Sequence, residues 1–233
     1  MKRNVLFACV MMMGYGIANA QFMGYETPVE MPSMGVYDNS LQTMYLQGLR
    51  ERAEYNNRLV EVLTPVFQKA YELYYDNKYN DCDKFISDVL RTYTFYNGQE
   101  ILYARLVYLK GMSHVKLGSL NSGITLLLLA KDDGDSEASS ELYKIFYSSY
   151  NTAQECYQRA DYSRCMEYIN IALKTEVVNG DIYMLAGQTM ENLNELESAK
   201  YWYKLAKKHG SSRANEMLKT LKIKQKELSK IQK

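Results

Sequence analysis

The chain has 233 residues, with 28 Lys or Arg against 27 Asp or Glu and a formal net charge of +1. That length suits about one mature domain, the overall charge says little, and the lack of an aromatic-basic motif argues against a nucleic-acid partner. Four cysteines are too few for a disulfide scaffold.

Residues 1–20 begin Met1-Lys2-Arg3, run through the apolar stretch Val5 to Ile17, and reach Ala18-Asn19-Ala20. A charged start, a short apolar run and a small-x-small site predict a secretory signal peptide cut between Ala20 and Gln21. Gly14 and Gly16 interrupt the run, which falls short of the roughly 18 apolar residues that span a bilayer. Too few residues precede Cys9 for it to end a lipoprotein signal. The style of the signal points to a bacterial protein that is periplasmic or secreted. Cleavage leaves Cys82, Cys156 and Cys165. Cys156 and Cys165 face each other across one predicted helix hairpin, so a bridge and two packed thiols both stand open.

Residues 21–39 hold Pro28 and Pro32 among Met, Gly and Glu, with no helical or strand period, and read as a flexible leader. From there residues 40–233 read as one helical domain. Asp38-Asn39-Ser40 offers N-caps to a helix reaching about Leu63, and Thr64-Pro65 fits the start of the next. Paired helices follow, with hairpins at 65–92, 101–131, 136–174 and 181–208. Turns fall at Asp76-Asn77-Lys78, Gly118-Ser119 and Ala160-Asp161 in the first three, and Asn179-Gly180-Asp181 serves as stop and N-cap for the fourth. An amphipathic helix at 211–233 closes the array.

The third and fourth hairpins echo one another. Tyr162-x2-Cys165-x3-Ile169-x2-Ala172 recurs as Leu196-x2-Ala199-x3-Tyr203-x2-Ala206, 34 residues on. Fainter copies begin at Tyr79 and Leu120, at intervals of 41 and 42 residues, and the excess is expected between hairpins, at Thr94–Gln99 and Lys131–Ser136. A period of this kind marks a stacked array whose helix pairs bury their apolar faces only against neighbours.

These residues resemble the tetratricopeptide repeat family over Pro65 to Lys208. Ala70, Gly111, Ala153 and Gly187 match the family's small residue in the first helix. Cys82, Gly123, Cys165 and Ala199 match the early small residue of the second helix, and Ala130, Ala172 and Ala206 a later one, with Val89 departing. The usual proline after the second helix is absent, and Val66, Val107, Ser149 and Tyr183 stand where the family has tryptophan. The resemblance implies an all-α solenoid of about four helix hairpins, flanked by an N-terminal helix and a C-terminal capping helix.

Little points to catalysis. The chain has two histidines, and His114 is expected as a packed core group and His209 at a helix C-terminus. No CxxC or glycine-rich phosphate loop is present, so no metal or cofactor is expected. The run Asp132 to Glu137 has its glycine too early for a calcium loop and reads as an acidic connection carrying N-caps. The 22 tyrosines say more, since 17 lie between Tyr71 and Tyr203. In the family the first helices line a concave groove that holds a peptide or a partner's helix. Carried over by alignment, the groove would comprise Phe67, Tyr71, Tyr74, Arg105, Tyr108, Met112 and Lys116. Tyr147, Tyr150, Asn151, Gln154, Gln158, Met184 and Gln188 would continue it. Phe67, Tyr71 and Leu109 argue against the carboxylate clamp of the chaperone-binding subtype.

The resulting expectation is a non-enzymatic scaffold or adaptor of the cell envelope, with a glycan or small-ligand binder using the same aromatic face as the alternative. The segment Lys207 to Lys233 carries nine Lys or Arg against two Glu, whereas Gln21 to Ala206 nets −8. The basic terminal helix is therefore either a solvated face or a surface for an acidic partner or membrane.

Overall fold

A computed structural model of the chain describes residues 39–93, 95 and 100–231. The predicted signal peptide 1–20, and the leader 21–39 up to its last residue, lie outside the described residues. The chain divides into two compact units, Met1–Glu72 and Leu73–Lys233. Among the described residues every regular element is a helix.

Helix α1, Asn39–Tyr75, runs for 37 residues and contains Pro65. The break expected at Thr64-Pro65 is absent. Proline removes one i→i−4 hydrogen bond and crowds the carbonyl four residues back. Leu63, Phe67 and Ala70 nevertheless keep one buried stripe across it, while Pro65 itself is exposed.

The second unit continues with α2 (Tyr79–Thr92), α3 (Glu100–Lys116), α4 (Leu120–Asp132), α5 (Ala138–Gln158), α6 (Tyr162–Lys174), α7 (Gly180–Asn192), α8 (Leu196–Lys208) and α9 (Ala214–Ile231). Within it α3 packs on α4, α5 on α6, and α7 on α8. First helices also meet across hairpins, as α5 meets α7, and second helices do likewise, as α4 meets α6. That is the all-α array of stacked, tetratricopeptide-like hairpins expected from the repeat.

Every hairpin turn uses the same device. Asn77, Gly118, Ala160 and Asn194 take positive φ, between 60° and 80°. The next residue's N–H then reaches back five positions: Lys78 to Leu73, Ser119 to His114, Asp161 to Cys156 and Glu195 to Met190, each at 2.9 Å. This is the left-handed helix ending that satisfies terminal carbonyls. A second set of positive-φ residues, Gly134, Glu176 and Gly210, follows α4, α6 and α8, each 16 residues after the hairpin turn, whereas α2 ends on Tyr93 in extended backbone.

That constant block corrects one expectation. The connections 133–137, 175–179 and 209–213 are equally long, so the longer interval between Leu120 and Tyr162 does not come from Lys131–Ser136. It lies within α5, which has 21 residues where α7 has 13. The extra two turns, residues 138–145, sit at the N-terminal end of α5. In the hairpin before it, α3 is also long, at 17 residues.

The small slots pack as the repeat requires. A methyl on Gly123 would lie 2.6 Å from Val115 Cγ2 and 3.0 Å from the Gly111 carbonyl, so α3 and α4 cross backbone against backbone. A methyl on Gly187 would run into the ring of Tyr203, which is fully buried. Cys82 and Cys165 fill the corresponding slots and each meets a hydroxyl from the following first helix. Ser113 bonds Cys82, and Thr189 Oγ1 lies 3.2 Å from Cys165 Sγ. Burial pushes both thiols up, so they are inert packing groups. Cys82, Cys156 and Cys165 are all free, which resolves the open cysteine pair. Phe146, Cys156, Cys165, Ile169, Ile182 and Ala186 share one core that joins α5, α6 and α7.

Candidate partner-binding face

The first helices α3, α5 and α7 carry the expected site residues of the second unit. On α5 the buried positions Leu142, Phe146, Ser149, Ala153 and Cys156 recur at spacings of three and four, which commits one face to the core. The opposite face is fixed by the same periodicity. Tyr143, Tyr147, Asn151, Gln154 and Gln158 follow one another at i+4, i+4, i+3 and i+4, and all five are exposed. The two tyrosines are 53% and 51% exposed, a large apolar area for residues of an ordered helix. The stripe contains no charge and extends about 22 Å along the helix axis.

Its flank is ordered. Tyr150 is half-buried and lies parallel to Phe146 at 6.1 Å, while Tyr147 meets Phe146 edge-on at 5.2 Å. Gln154 Nε2 donates to the Tyr150 hydroxyl at 3.0 Å. Burial, aided by the charge of Asp181, holds the Tyr150 hydroxyl above its ordinary range, so it stays a neutral donor and acceptor. Asn192 of α7 donates to the Tyr157 hydroxyl of α5 at 2.9 Å, tying the two first helices together. Gln188 is half-buried on α7, and Met184 is buried.

The start of α5 is held by a polar cluster. Asp135 Oδ1 accepts the backbone N–H of Glu137 at 2.9 Å and of Ala138 at 3.1 Å, so it caps the turn that leads into α5. Its other oxygen meets Arg105 Nε at 3.0 Å, and Arg105 Nη1 lies 3.2 Å from Glu137 Oε2. The guanidinium sits over the Tyr108 ring, 5.0 Å from its centroid. Burial raises the Asp135 carboxyl above the usual carboxylate range, opposed by Arg105 and the two backbone donors. Burial likewise raises the Tyr108 hydroxyl, with Glu137 and Glu141 adding to it.

These contacts sort the expected residues. Lys116, Asn151 and Gln154 are exposed, and Tyr74, Tyr150 and Gln188 are half-buried. Tyr108 and Met112 are only 7% and 8% exposed, so they form the wall behind α3 rather than its outer surface. Arg105 is engaged in capping α5. Tyr74 packs edge-on against Tyr75 and Tyr79, at 5.7 and 5.4 Å. Tyr71 is half-buried on α1, in the other unit. Tyr143 was not among the expected residues because it lies beyond the family's first-helix length. Its i+4 relation to Tyr147 was the signal available.

His114 Nε2 lies 3.1 Å from Asp83 Oδ1, and Lys110 Nζ is 3.4 Å from the same oxygen and 2.6 Å from Ser87 Oγ, fastening α2 to α3. His209 stacks on Tyr183 at 4.8 Å. Among the described residues no group of three or more His, Cys, Asp or Glu is arranged to hold a metal ion. No described helix is long and apolar enough to cross a membrane.

No family model matches the chain, and no curated protein matches it. Among solved structures, one described as the TPR2AB-domain:pHSP90-complex of yeast Sti1 is similar at a TM-score of 0.34 and 15% identity, over 81% of this chain and 82% of that one. A likeness of that size carries no argument about partner or activity. The tetratricopeptide-like reading of the fold rests on the 34-residue register and the packed small slots.

Proposed function

We propose that the protein is a non-enzymatic interaction scaffold of the cell envelope, exported by residues 1–20 and cut between Ala20 and Gln21. It holds an extended peptide or partner helix along the first helices of the second unit. The observation that carries the reading is the uncharged, exposed stripe Tyr143, Tyr147, Asn151, Gln154 and Gln158 on α5. Tyrosines give large contact area at low entropic cost, and side-chain amides pair with peptide N–H and C=O groups. Tyr150 and Gln188 flank the stripe, and Lys116 extends the face on α3.

The exposed faces of Tyr143 and Tyr147 beside Asn151 also suit a sugar ring, which supports glycan binding as the second reading. Cross-linked pull-down from an envelope fraction, with the wild type and a Tyr147→Ala/Asn151→Ala variant, separates the two. A stoichiometric protein partner whose affinity falls on the order of tenfold in the variant supports scaffolding. Glycan-array binding with no protein partner reverses the order. Export is tested by the intact mass of the mature chain, expected to begin at Gln21.

A further inference from the structure

Helix α9 begins 34 residues after α7, and its turn residue Gly210 lies 34 after Glu176, so α9 stands in register as the first helix of a fifth hairpin. It is held there by a shared core. Ala214 and Leu221 are buried with Met184, Ala199, Tyr203 and Ala206 of α7 and α8. The Tyr203 hydroxyl donates to Glu191 Oε2 at 2.9 Å, and Lys224 Nζ meets Glu191 Oε1 at 3.2 Å.

In the complete hairpins a second helix packs on its own first helix and on the previous second helix, as α6 packs on α5 and α4. Among the described residues the equivalent place beside α8 and α9 is an open groove of about 590 Å³. Leu218 and Leu221 form its floor, and Lys200, Lys204, Lys222 and Lys226 form its rim. Leu221 occupies the register position of Gly187, so the floor is bulkier than in a complete hairpin. A helix seated there lies farther out than a second helix does in the rest of the array, which suits an exchangeable occupant.

We infer that this groove receives an acidic amphipathic helix of a partner protein, which takes the place of the second helix of a fifth hairpin. An apolar edge on the Leu218 and Leu221 floor supplies burial, and carboxylates on both sides meet the lysine rim. Lys200 is already 3.4 Å from Glu197, whereas Lys204 and Lys222 make no ion pair among the described residues. The recessed leucine floor favours a side-chain-bearing helix over a bilayer surface, which cannot follow the recess.

The test uses the full chain and a fluorescent amphipathic helical peptide of glutamate, leucine and alanine, read by anisotropy at low and at about 0.5 M salt. Binding is expected at low salt and lost at high salt, and a glutamine version of the peptide is expected not to bind. Lys204→Glu/Lys222→Glu should weaken binding by on the order of tenfold or more. Lys208→Glu/Lys219→Glu, with the same charge change on exposed positions outside the groove, should alter it less than about threefold. Thermal melts of both variants report that the fold is kept. Equal losses in the two variants mean general charge attraction and overturn the proposal. Binding of phosphatidylserine vesicles without binding of the peptide overturns it in favour of a membrane surface.

Discussion

Ala160 holds a left-handed backbone, φ 60°, at a turn where Gly118 does the same job in another hairpin. A Cβ in that region costs about 1–2 kcal/mol, and glycine recovers most of it against its own larger entropy loss. Ala160→Gly is therefore expected to raise unfolding stability by roughly 0.5–1 kcal/mol, read as a higher urea midpoint with an unchanged slope. The reverse holds at Gly187, where a methyl meets the Tyr203 ring. Gly187→Ala should cost about 1–3 kcal/mol as α7 and α8 are forced apart, and a neutral effect would contradict the close crossing. Both positions were legible in the sequence, Gly187 as a small slot and Ala160 as a turn. The strain at Ala160 was not, because alanine carries no turn signature and only the backbone angle reveals it.

At the scale of elements, α9 depends on Glu191, which joins the buried Tyr203 hydroxyl to Lys224. Removing the carboxylate leaves a buried hydroxyl and a lysine without their acceptor, at a cost of about 1–3 kcal/mol. Glu191→Ala should accordingly make α9 more sensitive to limited proteolysis while α3 to α6 stay protected; equal protection throughout would sink the idea. The all-α array of paired helices follows from apolar spacing and turn residues. Two features did not follow. Pro65 marks a helix start on local chemistry, yet one buried stripe passes through it. The extra length before Tyr162 was expected at Lys131–Ser136 but lies within α5, while the N-cap expected in that acidic run is supplied by Asp135. The candidate face was legible on α5, where exposure follows from the helical period. It was misleading on α3, where Arg105 and Tyr108 read as free aromatic and cationic groups until the partner loop 133–137 is in place.

Across the whole molecule the buried tyrosines set an alkaline limit. Burial raises Tyr74 to about 12, with Tyr79 and Glu141 adding to it, and raises Tyr108 and Tyr203 as well. In the unfolded chain these hydroxyls titrate near their ordinary value of about 10. Between about pH 10 and 12 the folded state thus keeps protons that the unfolded state gives up, so stability falls as pH rises through that window. Urea unfolding at rising pH should show the decline, and Tyr203→Phe should flatten it while costing about 1 kcal/mol near neutrality from the lost bond to Glu191. A slope unchanged by that substitution would remove Tyr203 from the account. The constant 16-residue distance between the left-handed turns that flank α4, α6 and α8 has a different consequence. It makes each of α4, α6 and α8 with its flanking turns a block of fixed length, and leaves the starts of the first helices beside them as the place where the second unit can change length. Adding or deleting helical turns ahead of residue 146 would lengthen or shorten the tyrosine stripe while the blocks on either side keep their register.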